Sequence, residues 1–274
     1  MIKTQSNEEI IDKATPVVEY NFHTHTKRCG HAIGEDREYI ENAIKNGYKI
    51  LGISDHCPYF GISLPNERME WHEFFQYVNS IKSLRDQYKD QIDIYIGLEC
   101  EYFNKHLEQL KLLKKEVDYL ILGQHHYLEG TKTIPYLSKE KMFEMVEEIR
   151  NAAATGMFLY IAHPDYFWRE RKSWDDVAIE ISHEICKISV EYDIPIELNQ
   201  RHILFIKQEE PDVYLGCLSF WKIAKEYNCK VCFGIDAHDP QNFSEQIDEM
   251  FLLNDILKFN VISTEELLDR IERI

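Results

Sequence analysis

The sequence predicts a single α/β domain folded as a (β/α) barrel, and three observations predict it. Seven short apolar runs alternate with helical patterns, the signature of βα units around a parallel sheet. Seven units in 274 residues match a barrel, which typically takes ~250 residues for eight units. Every apolar run also stops at polar, chemistry-bearing residues. A doubly wound open sheet would instead gather its ligands at one switch point.

The first run, Pro16-Val17-Val18-Glu19-Tyr20, is a strand that ends where Asn21 to His31 begins. Alternate side chains of an extended chain share a face, so His23 and His25 point the same way and His31 reaches back from the loop. Glu35 to Asn46 is a helix with the stripe Tyr39, Ile40, Ala43 and Ile44, and Gly47 suits its C′ position. Lys49 to Ser54 is the second strand, ending at Asp55-His56. Beyond a loop from Cys57 to Met69, a helix from about Glu70 to Tyr88 carries Trp71, Phe74, Phe75, Val78, Ile81 and Leu84 at helical spacing.

Strand Ile92 to Leu98 ends in Glu99-Cys100-Glu101. A helix from about Lys105 to Glu116 leads to strand Tyr119 to Leu122, which stops at Gly123-Gln124-His125-His126. Ser138 N-caps a helix through Ala154, and strand Met157 to Ala162 ends in His163-Pro164-Asp165. Ser173 and Asp176 have capping-box spacing and open a helix that ends near Tyr192. Strand Ile194 to Leu198 ends at Asn199. A helix from about Gly216 to Tyr227 precedes strand Lys230 to Ile235, which stops at Asp236-Ala237-His238. Two more helices finish the chain, the last with Ser263 and Glu266 at capping-box spacing.

Composition narrows the function. A formal charge of −17 argues against a nucleic-acid groove, which needs a basic face, and against binding to an anionic membrane. No apolar run approaches the ~20 residues that cross a bilayer, and the N-terminus lacks the apolar core of a signal peptide. Seven cysteines without a regular framework read as reduced thiols. Cys229 and Cys232 make a C-x-x-C, but Val231 and Cys232 fall within a strand and no second pair exists, so they read as core thiols. Cys29, Cys57 and Cys100 lie beside the strand ends and receive no catalytic role. The expectation is a cytoplasmic protein whose partner is a small molecule.

In a barrel the C-terminal strand ends converge on one mouth. They supply His23, His25, His56, Glu99, His125, His163, Asn199, Asp236 and His238, with His31 in the first loop. A lone histidine at a strand end is more often a hydrogen-bonded structural residue than a ligand. Seven of the twelve histidines fall in these places, however, which favours a shared metal site. His72, His106 and His183 lie in helical patterns and read as surface residues. His126 points away if its strand continues, and His202 either faces substrate or is idle. Nitrogen and oxygen donors without a thiolate suit Zn²⁺, Mn²⁺ or Fe²⁺ rather than a cysteine-based structural zinc.

The motifs H-T-H-T with C-G-H, G-I-S-D-H-C-P, G-L-E-C-E-Y, G-Q-H, A-H-P-D, E-L-N and G-I-D-A-H-D run from about residue 20 to 240. In this order they resemble the PHP (polymerase and histidinol phosphatase) superfamily, and most of all its stand-alone histidinol-phosphatase branch. The resemblance implies a distorted (β/α)7 TIM-like barrel as one domain over 1–274, with 241–274 as C-terminal helices, and three divalent metals. His23, His25, Glu99 and Asp236 would hold the first. Glu99 would bridge to a second, completed by His125 and His163, and His31, His56 and His238 would hold a third. One departure is visible: Glu197-Leu198-Asn199-Gln200-Arg201-His202 brings its Arg closer to the E-x-N than the pattern does and lacks the Gly.

The resemblance implies hydrolysis of a phosphomonoester, most of all histidinol phosphate in histidine biosynthesis. Cations ~3.5–4 Å apart share a water, lower its pKa and clamp the oxygens of an in-line displacement. A hydroxide near Glu99 is then the nucleophile. Arg169 and Arg201 are the candidates for binding phosphate, because a planar guanidinium gives paired charge-assisted hydrogen bonds. Asp165, His202 or a metal-bound water are the candidates for the leaving-group acid. Glu67, Glu70 and Tyr127 are candidates for meeting the substrate's amine and imidazole. The rivals are another small phosphate or phosphotyrosine as substrate, a nuclease, and a metal-binding remnant without activity.

Overall fold

In the computed structural model, which describes residues 19–168, 174–209, 211–244 and 248–274, parallel strands close into a ring. Strands β1 (Tyr20–Asn21), β2 (Ile50–Ile53), β3 (Asp93–Cys100) and β4 (Tyr119–Leu122) pair in that order. The chain at 157–162 takes the fifth place. It is too irregular for a ladder, yet Ile161 bridges Leu122 on one side and Ile196 on the other. After it come β7 (Ile196–Asn199) and β8 (Lys230–Gly234), again parallel, the labels β5 and β6 belonging to a hairpin described below. Ala237 then bridges Thr24 and shuts the circle. Deeper in the barrel that last seam is held by side chains: the Phe233 N–H donates to the Tyr20 hydroxyl and the Ile235 N–H to Asn21 Oδ1.

The lumen is packed rather than open. Tyr20, Phe22, Tyr119, Ile121, Leu159 and Tyr160 form a buried cluster inside it. Tyr119 fills the centre and donates to the Phe22 carbonyl at 2.7 Å. Gly52 and Gly97 make room for that side chain, since a Cβ would lie 2.1 Å from the Tyr119 hydroxyl at the first and 2.2 Å from its Cζ at the second. The larger core lies between the strands and the helices outside them.

Those helices are α1 (Asp36–Lys45), α2 (Phe74–Tyr88), α3 (Leu107–Lys114), α4 (Lys139–Ala154) and α5 (Asp176–Glu191), followed by α6 (Gln200–Glu209), α7 (Pro211–Glu226), α8 (Asp248–Leu257) and α9 (Thr264–Arg273). The helical spacing read from the sequence is the buried face: Tyr39, Ile40 and Ala43 in α1, and Phe74, Val78, Ile81 and Leu84 in α2. Ser138 caps α4 and Ser263 caps α9 through their hydroxyls, as expected. Leu267 of α9 packs on the lumen cluster and plugs the barrel from below. Strand β9 (Asn260–Val261) adds an outer edge to β8. Among the described residues no helix is long and apolar enough to cross a membrane.

Six elements differ from expectation. Strand β1 extends to Asn21, and its predicted start at Pro16 lies outside the described residues. Helix α5 is capped by Asp175, whose side chain accepts from the Ala178 N–H; Ser173 lies outside the described residues. Helix α6 had no counterpart in the sequence reading, and α7 begins at Pro211 rather than near Gly216, with proline in a first-turn position that suits it. Finally, β5 (His126–Glu129) and β6 (Lys132–Pro135) form an antiparallel hairpin over the mouth, where Gly130 at φ +67° supplies the backbone such a tight turn needs.

Candidate metal centre

The C-terminal strand ends bring Nε2 of His23, Nε2 of His25, Oε2 of Glu99 and Oδ1 of Asp236 together. The two imidazole nitrogens are 3.1 Å apart. They lie 3.4 and 3.2 Å from the Glu99 oxygen and 3.6 and 3.4 Å from the Asp236 oxygen. Metal–ligand bonds of about 2.0–2.2 Å in a tetrahedron require donor separations of about 3.3–3.6 Å. The Asp236 Oδ1 is buried without a hydrogen-bond donor, so the donor set fits a cation. The other Glu99 oxygen, Oε1, lies 2.8 Å from His163 Nε2 and 3.3 Å from His125 Nε2, with those nitrogens 3.3 Å apart. One carboxylate therefore serves two donor groups.

A third group stands at the outer side. His31 Nε2 and His238 Nε2 are 3.0 Å apart, and His56 completes the group. The other nitrogens explain why these Nε2 lone pairs point inward. His238 Nδ1 is 3.0 Å from the Asp236 carbonyl, and His31 Nδ1 is 3.0 Å from the Cys29 carbonyl. A donated Nδ1–H fixes the tautomer that leaves Nε2 open. His56 differs in that its Nδ1 lies 3.0 Å from Glu99 Oε2. Backbone strain also marks the site, because His163 (φ 27°) and Asp236 (φ 58°) adopt positive φ without being glycine.

Three supporting residues escaped the sequence reading. Glu197, fully buried, takes His23 Nδ1 at 2.9 Å, the His163 backbone N–H at 3.1 Å and Asn199 Nδ2 at 2.9 Å. Glu101 lies 3.2 Å from His125 Nδ1 and accepts a guanidinium fork from Arg68 at 2.9 and 3.1 Å. Carboxylates behind ligating histidines raise ligand basicity and hold the rings. A usable signal existed: Glu101 stands two residues after Glu99, and Glu197 two before Asn199, so each pair shares a strand face. Arg68 carried none, because its partner is thirty-three residues away. Glycines make the space: a Cβ at Gly123 would lie 2.2 Å from Glu99 Oε1, and one at Gly234 1.8 Å from Glu197 Oε1.

The mouth is a cavity of about 160 Å³ whose wall includes Glu99, His125, His163, Tyr166, Arg201 and His202. Arg201 sits exposed on the first turn of α6, with its guanidinium 3.9 Å from Asp236 Oδ2. Arg169 lies outside the described residues. Asp165 is buried beneath the wall, whereas His202 forms part of it. Glu67 lines the cavity and accepts from the Thr133 hydroxyl of the hairpin. Glu70 instead caps a helical turn, and Tyr127 packs on Tyr136 under Lys141. His126 also lines the cavity, because β4 stops at Leu122 and the chain turns before it. Cys29, Cys57 and Cys100 are buried, and burial pushes the Cys29 thiol up to about 12.

Burial disfavours charge on Glu99 and Asp236, yet the surrounding imidazoles hold both well below the usual carboxylate range. Burial, helped by His25, pushes His238 down to about 4, so it is neutral and ready to ligate at pH 7. His125 goes the other way: burial opposes its charge, but Glu99 and Glu101 raise it to about 9. A raised histidine pKa stabilises the fold fully below its ordinary value near 6.5, and that stabilisation is lost as pH rises through 9. A metal needs the neutral ring and so displaces a proton in this window. The metal-free protein should therefore lose Tm between pH 6.5 and 9, while the rise in Tm caused by added Zn²⁺ grows. Thermal scans with and without Zn²⁺ check this; a zinc-induced rise that shrinks over the window would refute it.

Known proteins share sequence and fold with this chain. A model of the PHP domain family matches residues 21–201. A probable histidinol-phosphatase of Deinococcus radiodurans is 27% identical over 157 residues, covering 52% of this chain and 59% of that protein. One from Schizosaccharomyces pombe is 33% identical over 115 residues, or 38% of each chain. The alignments thus span less than two thirds of these relatives' length. A crystal structure of histidinol phosphate phosphatase from Lactococcus lactis, complexed with zinc, L-histidinol and phosphate, superposes with a TM-score of 0.67 at 19% identity, over 89% of this chain and 95% of that one.

Proposed function

The chain belongs to the PHP domain family, and from that premise we propose that it is a metal-dependent phosphomonoesterase that converts L-histidinol phosphate to L-histidinol and phosphate. The observation that carries the reading is Glu99, whose two oxygens serve two imidazole groups on the wall of one cavity. The relatives named histidinol-phosphatase support the choice of substrate.

Three divalent ions are proposed, Zn²⁺, Mn²⁺ or Fe²⁺. His23, His25, Glu99 and Asp236 would hold one, Glu99, His125 and His163 a second, and His31, His56 and His238 a third. When bound, such ions polarise phosphoryl oxygens and make water a nucleophile near neutral pH. The protein's own groups do the rest. Glu197 and Glu101 keep His23 and His125 in the tautomer that offers Nε2. Arg201 reaches the phosphate oxygens from the rim, and Glu67 pairs with the substrate's ammonium group. Tyr166 and Phe205 give the imidazole an apolar wall. A biosynthetic small-molecule enzyme of this kind works in the cytoplasm, as one domain over the whole chain.

The test is phosphate release by metal-loaded protein from L-histidinol phosphate, tyrosine phosphate and single-stranded DNA, with metals counted. Release from the first should dominate, and chelation should lower it by more than about 10²-fold until metal is restored. Release from tyrosine phosphate alone would reassign the substrate. No release from any of the three would leave only metal binding.

A further inference from the structure

We propose that His202 is the proton donor to the leaving oxygen and that Asp165, held by Trp221, is the residue that positions it; the inference rests on the phosphatase reading above. His202 forms part of the cavity wall and is 5% exposed, so its ring is fixed yet reaches the space where substrate binds. Among the described residues it belongs to none of the groups that could hold a metal.

Its placement is built from two directions. Asn199, at the end of β7, accepts the His202 backbone N–H on its Oδ1 at 2.9 Å and so pins the first turn of α6. This is the side-chain capping that a helix N-terminus calls for. From behind, Asp165 Oδ1 lies 3.5 Å from His202 Nε2, an ion-pair separation rather than a hydrogen bond. The other Asp165 oxygen accepts from Trp221 Nε1 at 3.1 Å, with Asp165 and Trp221 both buried. A carboxylate behind an imidazole stabilises the imidazolium and sets its orientation. Tyr166 has ring contacts with His125, His163 and His202, at centroid distances of 4.8, 5.2 and 6.1 Å. His202 therefore stands one ring away from the candidate ligands, on the wall of the same cavity.

The step balances. Water gives up one proton to solvent as its oxygen bonds to phosphorus and the bond from phosphorus to the leaving oxygen breaks, and that leaving oxygen keeps the electron pair. It takes the Nδ1 proton of the His202 imidazolium and departs as the alcohol, while the Nε2 proton stays toward Asp165. The neutral ring regains a proton from solvent before the next turnover. An aliphatic alkoxide leaves poorly without such a proton, whereas a nitrophenolate does not need it.

That difference makes the test. In the metal-loaded enzyme, His202→Gln should lower kcat for L-histidinol phosphate by about 10²–10⁴-fold and for p-nitrophenyl phosphate by less than about tenfold. Asp165→Asn should reproduce the same asymmetry at a smaller size, about tenfold on the alkyl ester, with KM for it little changed. Metal content and the calorimetric affinity for inorganic phosphate should match wild type in His202→Gln, which shows that the site is intact. Equal losses on both esters in His202→Gln, or no loss on the alkyl ester, would overturn the assignment of His202 while leaving the phosphatase reading standing. A wild-type enzyme inactive on both esters would overturn that reading and this one together.

Discussion

Glu99→Gln is expected to lower kcat/KM on the phosphate ester by about 10³-fold or more, the equivalent of about 4 kcal/mol of lost transition-state stabilisation. The same protein should retain fewer metals than wild type by elemental analysis. The reason is position rather than charge alone. Glu99 Oε2 faces His23, His25 and His56 at 3.4, 3.2 and 3.0 Å, while Oε1 faces His125 and His163 at 3.3 and 2.8 Å. An amide keeps the shape but puts an NH₂ where one of two donor groups needs an oxygen. It also removes the negative charge that offsets the cations gathered there. Neighbouring ligands do not replace it, since Asp236 reaches only the His23, His25 and His238 side. A variant with wild-type metal content and rate would sink the two-group reading.

Arg68→Met is expected to have the largest effect on the fold. Arg68 and Glu101 are 3% and 1% exposed, and the guanidinium fork is what makes the Glu101 charge tolerable inside the protein. Burial pushes the Glu101 carboxyl up, but Arg68 and His125 together hold it far below the ordinary range. Removing one partner of a buried ion pair costs about 3–5 kcal/mol. At about 2–4 °C per kcal/mol for a chain of this size, Tm should fall by roughly 6–20 °C. Because Glu101 also orients His125, metal affinity should fall about 10–100-fold. The double variant Arg68→Met, Glu101→Leu separates the two effects. Replacing both charges with apolar groups is often near neutral for stability, so Tm should largely recover while metal affinity stays low. Recovery of both would mean that Glu101 does not position His125.

Much of the site was legible because its residues obey local rules. His23 and His25 share a strand face two residues apart, and their nitrogens meet at 3.1 Å. The barrel followed from the alternation of elements, and a barrel gathers all strand ends at one rim, so residues as distant as His31 and His238 come within 3.0 Å. What stayed hidden depended on partners far away in the chain. Glu197 looked like part of a short motif, and only the fold reveals that it grips His23, 174 positions earlier. Arg68 sat in an irregular loop, with no periodicity to mark it as buried. Helix α6 was missed because Arg201, His202 and Lys207 interrupt its apolar spacing, although Ile203 and Ile206 are buried. The hairpin over the mouth was missed because its strands are half-buried and carry no clean alternation.

The sequence by itself determined the class of fold and the donor atoms on offer, because strand and helix periods and the chemistry of imidazole and carboxylate are properties of short stretches. Only the tertiary structure decided how Glu99 divides its oxygens, which carboxylates stand behind which rings, and that Asp165 lies behind His202 rather than beside it. Those are matters of distances between segments remote in the chain, set by how the barrel closes and packs. No local pattern encodes them.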